Sequence, residues 1–272
     1  TSGGEPDPVI KFSTPECDQP KAAVTYQKAG ERLIERLSLS ALRKMKADGF
    51  TPEHFWVYQG IPEERGKEAS SQENYLMDAK VARDQLLAQL VPFLVTRQLF
   101  TGSGTIGMKD GQPAYFISAR ALHLDKVFTE RDAEKHGGIV SDVKPHADEE
   151  RYKRLQVVLN DSNRSELAIY LKVGTTAMIT QMIEDGFMKG ALSLADPIQA
   201  CKIIAADPSC TQAVPLQNGE SRTAIEIQRE YFSLAQRYFD SIGRDAEVDD
   251  LLQRWASVLD GLDDDPMLLD RE

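Results

Sequence analysis

Between Pro145 and Gly186 the chain changes its hydrophobic period, and this change constrains the fold more than any other feature. Read at a period of two, Leu155, Val157 and Leu159 share one face of a strand, while Arg154, Gln156, Val158 and Asn160 share the other. From Leu167 to Ile183 apolar residues then fall on almost every side, which reads as a buried helix. Asp161, Ser162 and Asn163 stand between them as N-cap types, Glu166 follows Asn163 at capping-box spacing, and Gly186 closes the helix. A polar strand end running into a helix start is a natural anion site; an ordinary strand–helix joint is the bland alternative.

The rest of the chain is punctuated in the same manner. Asp18 and Pro20 predict a helix running to about Met45, and His54–Gln59 a strand. Residues 61–71, charged and holding Pro62 and Gly66, read as an exposed loop before a short strand at 72–77. Asp78 is expected to cap a helix through Phe100 with a kink at Pro92. Asp110-Gly111 supplies type I′ turn chemistry for a hairpin over 108–120, and residues 122–144 read as a mobile charged loop. A short segment at 198–206, a strand at 211–216 with a turn at Asn218-Gly219, and helices over about 221–241 and 245–262 complete the chain. Strands interleaved with long helices indicate an α+β domain with a mostly antiparallel sheet.

Charge and cysteine usage exclude several classes. A net charge of −11 counts against general nucleic-acid binding, which needs a basic footprint. No apolar run approaches the roughly 20 residues that span a bilayer. Cys17, Cys201 and Cys210 form no CxxC, which suits a reducing cytoplasm and small buried hydrophobes rather than disulfides or zinc. Gly102, Gly104 and Gly107 spell GxGxxG, but a helix precedes them and a hairpin follows, the reverse of a dinucleotide fingerprint. They read as a tight helix-to-strand turn. The histidines His54, His123, His136 and His146 lack metal-ligand spacing, and Asp263–Asp265 reads as a solvated tail. Thr1 in place of an initiating Met and the abrupt end after Pro266 lead to the expectation of a truncated chain.

Several segments resemble the bacterial Pup ligase and Pup deamidase/depupylase family, in that family's order and over nearly the whole chain. They are STPEC at 13–17, QENYLM at 72–77, PFLVTRQLFTGSGTIG at 92–107, FISAR at 116–120, PHADEERYKRLQVVLNDSN at 145–163, YLKVGTTAM at 170–178 and EIQREY at 226–231. The wording of FLVTRQLFTGSG, YLKVGTTA and DPM at 265–267 is closer to the depupylase branch. The resemblance implies a glutamine-synthetase-like fold, a curved and mostly antiparallel sheet cradling ATP and magnesium with helices on its convex face. It also implies an ATP-dependent enzyme acting on the protein tag Pup and on pupylated proteins in the cytoplasm, with no membrane or nucleic-acid partner. A cradle over 1–220 that lacks its first strand and a truncated helical segment over 221–272 are expected.

Carried over by motif, Glu16 and Glu73 are the metal candidates, Arg154 a phosphate clamp, Asn163 a cleft-lining group, and Ser118 and Arg120 further cofactor contacts. Asp7 and His146 are the weak catalytic candidates. The chain departs from the family's wording at Gln72 and Gln156, where histidine ligands are expected, and at Asp142–Lys144. Pro6 falls at the family's reactive aspartate, between Glu5 and Asp7. Glutamine hydrogen-bonds but does not titrate near neutrality, so these changes imply a repurposed or inactive tag-binding homologue as the alternative to an enzyme, with the ligase reaction as the runner-up activity.

Overall fold

The computed structural model describes residues 10–52, 55–57, 59, 71–130, 138–143, 145–159, 161–188 and 192–266. The chain divides into two compact units, Thr1–Ala69 and Ser70–Glu272. In the first, α1 (Pro20–Ala47) opens with proline at its first turn, where the missing N–H costs nothing. Its cap residue is Gln19, one later than the sequence predicts. The aromatic ring of Phe12 lies where a side chain at Gly30 would stand, so Gly30 lets the extended segment press on the helix. Residues 55–57 and 59 are in no strand, a correction to the expectation for 54–59; residues 54 and 58 are outside the described set. Aromatic and β-branched residues favour a strand only when a partner edge is available.

The second unit is built on a four-stranded sheet. Its elements begin with β1 (Glu73–Asp78), α2 (Arg83–Thr96), α3 (Gln98–Thr101), β2 (Thr105–Lys109) and β3 (Gln112–Phe116). A 3-10 turn at Arg120–His123 follows, then β4 (Lys126–Glu130), β5 (Gly138–Val143), β6 (Tyr152–Val157) and α4 (Glu166–Glu184). The chain continues through α5 (Pro197–Ala205), β7 (Ala213–Pro215), β8 (Ser221–Thr223), α6 (Ala224–Ile242) and α7 (Ala246–Asp264). The order in the sheet is β1-β6-β5-β4, with only β4 and β5 parallel, and β2–β3 and β7–β8 form separate hairpins. The fold class is α+β and mostly antiparallel, as the sequence predicts.

Helices cover one face of this sheet: α4 packs on β1, α2 on β5 and α5 on β4. Behind them α6 and α7 pack on α4, and Phe93, Tyr231, Phe232 and Trp255 interlock edge to face. The all-round apolar character of α4 follows, since Ile169, Leu171, Met178, Ile179 and Met182 are all buried.

Several local expectations are corrected. The helix predicted over 78–100 starts later and is two helices, α2 and α3; the Asp78 side chain accepts the Lys80 amide at 2.8 Å in a turn, and α2 begins only after Ala82. It breaks at Arg97 rather than at Pro92. Proline lacks the amide that would bond the Ala88 carbonyl, but the Ser193 hydroxyl donates to it at 3.5 Å, and the Tyr231 hydroxyl donates to the next carbonyl, that of Gln89, at 2.7 Å. The loop predicted over 122–144 contains β4 and β5, whose register Phe128↔Val140 and Val140↔Val157 comes from non-local pairing. Asn163 does not cap α4; the hydroxyl of Ser165 accepts the Ala168 amide at 3.3 Å instead. Asp263 is not a free tail residue, for it pairs with Arg229 of α6, as does Asp260 at 2.9 Å. Cys201 and Cys210 are buried as expected, whereas Cys17 is exposed.

The hairpin reading holds. Asp110 (φ 52°) and Gly111 (φ 77°) both occupy the left-handed region that a type I′ turn requires. Gly102 sits between α3 and β2, where a Cβ would approach the Ile117 carbonyl oxygen to 2.2 Å.

Candidate functional site

The sheet has two chemically different faces, set by the alternation of β1 and β6. Glu73, Tyr75 and Met77 point with Leu155 and Val157 toward the helices; Asn74 and Leu76 point the other way, opposite Gln156 and Arg154.

On the helix side a charged pair is sealed into the core. Arg97, almost wholly buried, donates Nη2 to Glu73 Oε1 at 2.5 Å and Nη1 to Glu73 Oε2 at 3.0 Å. The same guanidinium donates to Thr176 Oγ1 (2.5 Å), the Lys172 carbonyl (3.2 Å) and the Leu159 carbonyl (3.4 Å). The Tyr75 hydroxyl donates to Glu73 as well. Burial followed by the neighbouring Glu73 charge pushes the Tyr75 phenol well above its ordinary value. Burial alone would lower Arg97, but Glu73 outweighs it and holds the guanidinium protonated. The break of the long helix at Arg97 has its purpose here, since β1, α2, α4 and the end of β6 meet at one side chain.

A second buried group adjoins it. The Asp161 carboxylate, 6% exposed, accepts the Ser103 amide (3.0 Å) and the Ala119 amide (3.3 Å) on one oxygen and the Arg120 amide (3.0 Å) on the other. Lys172 Nζ donates to the Asp161 carbonyl (3.2 Å) and to Asn163 Oδ1 (2.9 Å), and Asn163 Nδ2 donates to the Thr101 carbonyl (3.0 Å). Burial lowers the Lys172 ammonium to about 8, with Arg97 adding to the effect and Glu73 opposing it. Ser118 Oγ accepts the Ala121 amide at 3.3 Å. Asn163, Ser118 and Arg120 are therefore brought together, as buried parts of the joint between α3, the turn at 117–121 and α4. Asp161 organises that joint; the sequence offered it only as one of three capping types.

The outer face is different. Gln156 Nε2 donates to Gln72 Oε1 at 3.1 Å, so the two glutamines at the expected histidine positions bond to each other across β1 and β6. Asn74 pairs in register with Gln156, and Arg154 follows on the same face. Arg154 Nε is buried without a hydrogen-bond partner among the described residues. A guanidinium with such a donor fits a phosphate oxygen.

The remaining candidates are dispersed. His146 lies in an exposed turn before β6, Glu16 is exposed in the chain leading to α1, and Asp7 is outside the described residues. Magnesium seeks near-octahedral oxygen ligands, carboxylates above all. Both Glu73 oxygens already accept from Arg97, and among the described residues no group of three or more His, Cys, Asp or Glu is placed to hold a metal. By themselves the described residues do not fit magnesium.

A family model described as Pup-ligase protein matches residues 9–272. The chain belongs to this family. It is 35% identical over 259 residues to a Pup deamidase/depupylase of Mycolicibacterium smegmatis, covering 94% of this chain and 51% of that protein. It is 36% identical over 252 residues to a Pup–protein ligase of Acidimicrobium ferrooxidans, covering 93% and 55%. The fold matches the Pup ligase PafA solved in complex with ADP, with a TM-score of 0.82 at 28% identity over 93% of this chain and 56% of that one. The chain spans about half the length of the relatives it matches. Its identity to the two branches is nearly equal. No helix among the described residues is long and apolar enough to cross a membrane.

Proposed function

We propose that this protein acts in Pup processing as a nucleotide-dependent enzyme of the deamidase/depupylase type, with Pup and pupylated proteins as partners, in the cytoplasm. The observation that carries the reading is Arg154: an arginine on the sheet face opposite the helices, its buried Nε without a partner among the described residues, in a chain whose fold matches an ADP-holding Pup ligase. In the proposed reaction water attacks the amide carbon of the tag's terminal glutamine, or of the isopeptide bond to a substrate lysine, and ammonia or the lysine amine leaves. Arg154 binds the nucleotide's phosphates. Asn163, Ser118 and Arg120 support that face from within by ordering the joint around Asp161. ATP supplies a phosphate scaffold when bound, and magnesium would need oxygens beyond those of the described residues. Glu16, Glu73, Asp7 and His146 stay candidates by motif, and the division into a cradle over 1–220 and a helical segment over 221–272 is proposed on the same ground.

A second reading rests on the Gln72–Gln156 pair. A face of amides instead of histidines suits a tag-binding homologue without catalysis. Incubating the protein with ATP, a lysine donor and tag ending in Gln or Glu separates the readings by mass spectrometry. Loss of the amide supports the deamidase, a conjugate supports the ligase, and neither product with retained tag binding supports the inactive homologue.

A further inference from the structure

The guanidinium of Arg97 reaches three elements at once. It donates to the Glu73 carboxylate on β1, to the Leu159 carbonyl just past β6, and to the Lys172 carbonyl and Thr176 hydroxyl on α4. A buried ion pair is a poor way to stabilise a core, since well-packed apolar side chains of similar volume often do as well. Arg97 Nε adds a further cost, being buried with no hydrogen-bond partner among the described residues. What a rigid planar fork adds over apolar packing is direction. Direction matters here because β1 lies at the end of the sheet and takes its register from β6, Glu73↔Val157 through Asp78↔Tyr152. A slip of one residue in β6 would carry Arg154 from the outer face to the helix side. Met77, Leu155 and Val157 resist that slip by shape, whereas Arg97 resists it by bonds to both chains. We infer that Arg97 is a positioning residue for the phosphate site: by tying β1 and the end of β6 to α4, it keeps Arg154 on the outer face where the nucleotide phosphate is met. The inference rests on the nucleotide-binding reading above and adds to it a residue that touches no ligand.

The test is calorimetric titration of ATP, with magnesium in excess, into the full chain and two variants. Glu73→Leu with Arg97→Met replaces the pair by apolar groups and is expected to keep a cooperative thermal melt. Arg97→Lys keeps a charge opposite Glu73 and loses the fork. Both are expected to weaken ATP binding roughly tenfold, the scale of one misplaced charge-assisted hydrogen bond. A second readout is the Arg154 Nε–Hε resonance, assigned by its loss in Arg154→Lys. It is expected to shift when ATP is added to the unmodified protein and to shift less in the folded variants, a change that lost stability alone does not produce. Folded variants that bind ATP as tightly as the unmodified chain overturn the positioning role and leave the nucleotide reading standing. If the double variant does not fold, Arg97→Lys decides between the same two results, and failure of both to fold assigns the pair to stability and overturns the role. An unmodified chain that binds no ATP overturns the positioning role and the nucleotide reading together.

Discussion

Glu73 and Arg97 form a two-oxygen ion pair inside the core, with Arg97 1% and Glu73 8% exposed. The pair joins the first strand of the sheet to the break between α2 and α3. Removing one member leaves the other charged and buried, so Glu73→Ala is expected to cost about 3–5 kcal/mol. The double variant Glu73→Leu with Arg97→Met is expected to cost clearly less than the sum of the single changes. Urea denaturation of the set measures this, and additive losses would show that the pair contributes no coupling.

Asp161 holds the amides of Ser103, Ala119 and Arg120. Asp161→Ala leaves these donors unsatisfied and is expected to destabilise the protein by about 2–4 kcal/mol. Hydrogen exchange localises the effect: amides 103 and 119–120 should lose protection before those of β6. Uniform loss across the unit would refute a local role.

The buried ammonium of Lys172 makes stability depend on pH. Folded it titrates near 8, against an ordinary value of 10.5. Below about 8 both states hold the proton and the full cost of the buried charge is present. Above it the unfolded chain binds more protons than the native one, so stability rises with pH. Cys201, raised by burial to about 12 from 9.0, opposes this once the unfolded thiol ionises, which leaves pH 8 to 9 as the clear window. Relative to Lys172→Met, the unmodified protein should gain about 1 kcal/mol across that unit of pH. Parallel stability curves would show that Lys172 titrates normally.

Gly102 is a steric rather than a conformational requirement. A methyl group there would lie 2.2 Å from the Ile117 carbonyl, whose own residue is tied through its amide to the Ala205 carbonyl at 2.7 Å. Gly102→Ala is expected to cost about 1–3 kcal/mol and to lower the melting temperature. Gly49→Ala is the comparison: its added carbon would meet nothing within 4 Å, though φ is +87°. An unchanged melting temperature for Gly102→Ala would show that space at this position is not limiting.

The sequence by itself determined the elements whose signal is local. Leu155 and Val157 alternate with Arg154 and Gln156, Asp110-Gly111 has only one good turn to make, and the continuous apolar run after Leu167 has to be a buried helix. The family motifs were legible for the same reason, being short contiguous words. Tertiary structure decided what depends on distant partners. Residues 126–130 became a strand because β5 lay beside them, and Pro92 remained inside a helix because the Ser193 hydroxyl donates to the Ala88 carbonyl that proline leaves unpaired, with Tyr231 donating to the next carbonyl, that of Gln89. It also divided the candidate residues between two faces, turning Glu73 inward to Arg97 and Arg154 outward with Gln156. A period of two fixes which residues share a face, but only packing determines which face the helices cover.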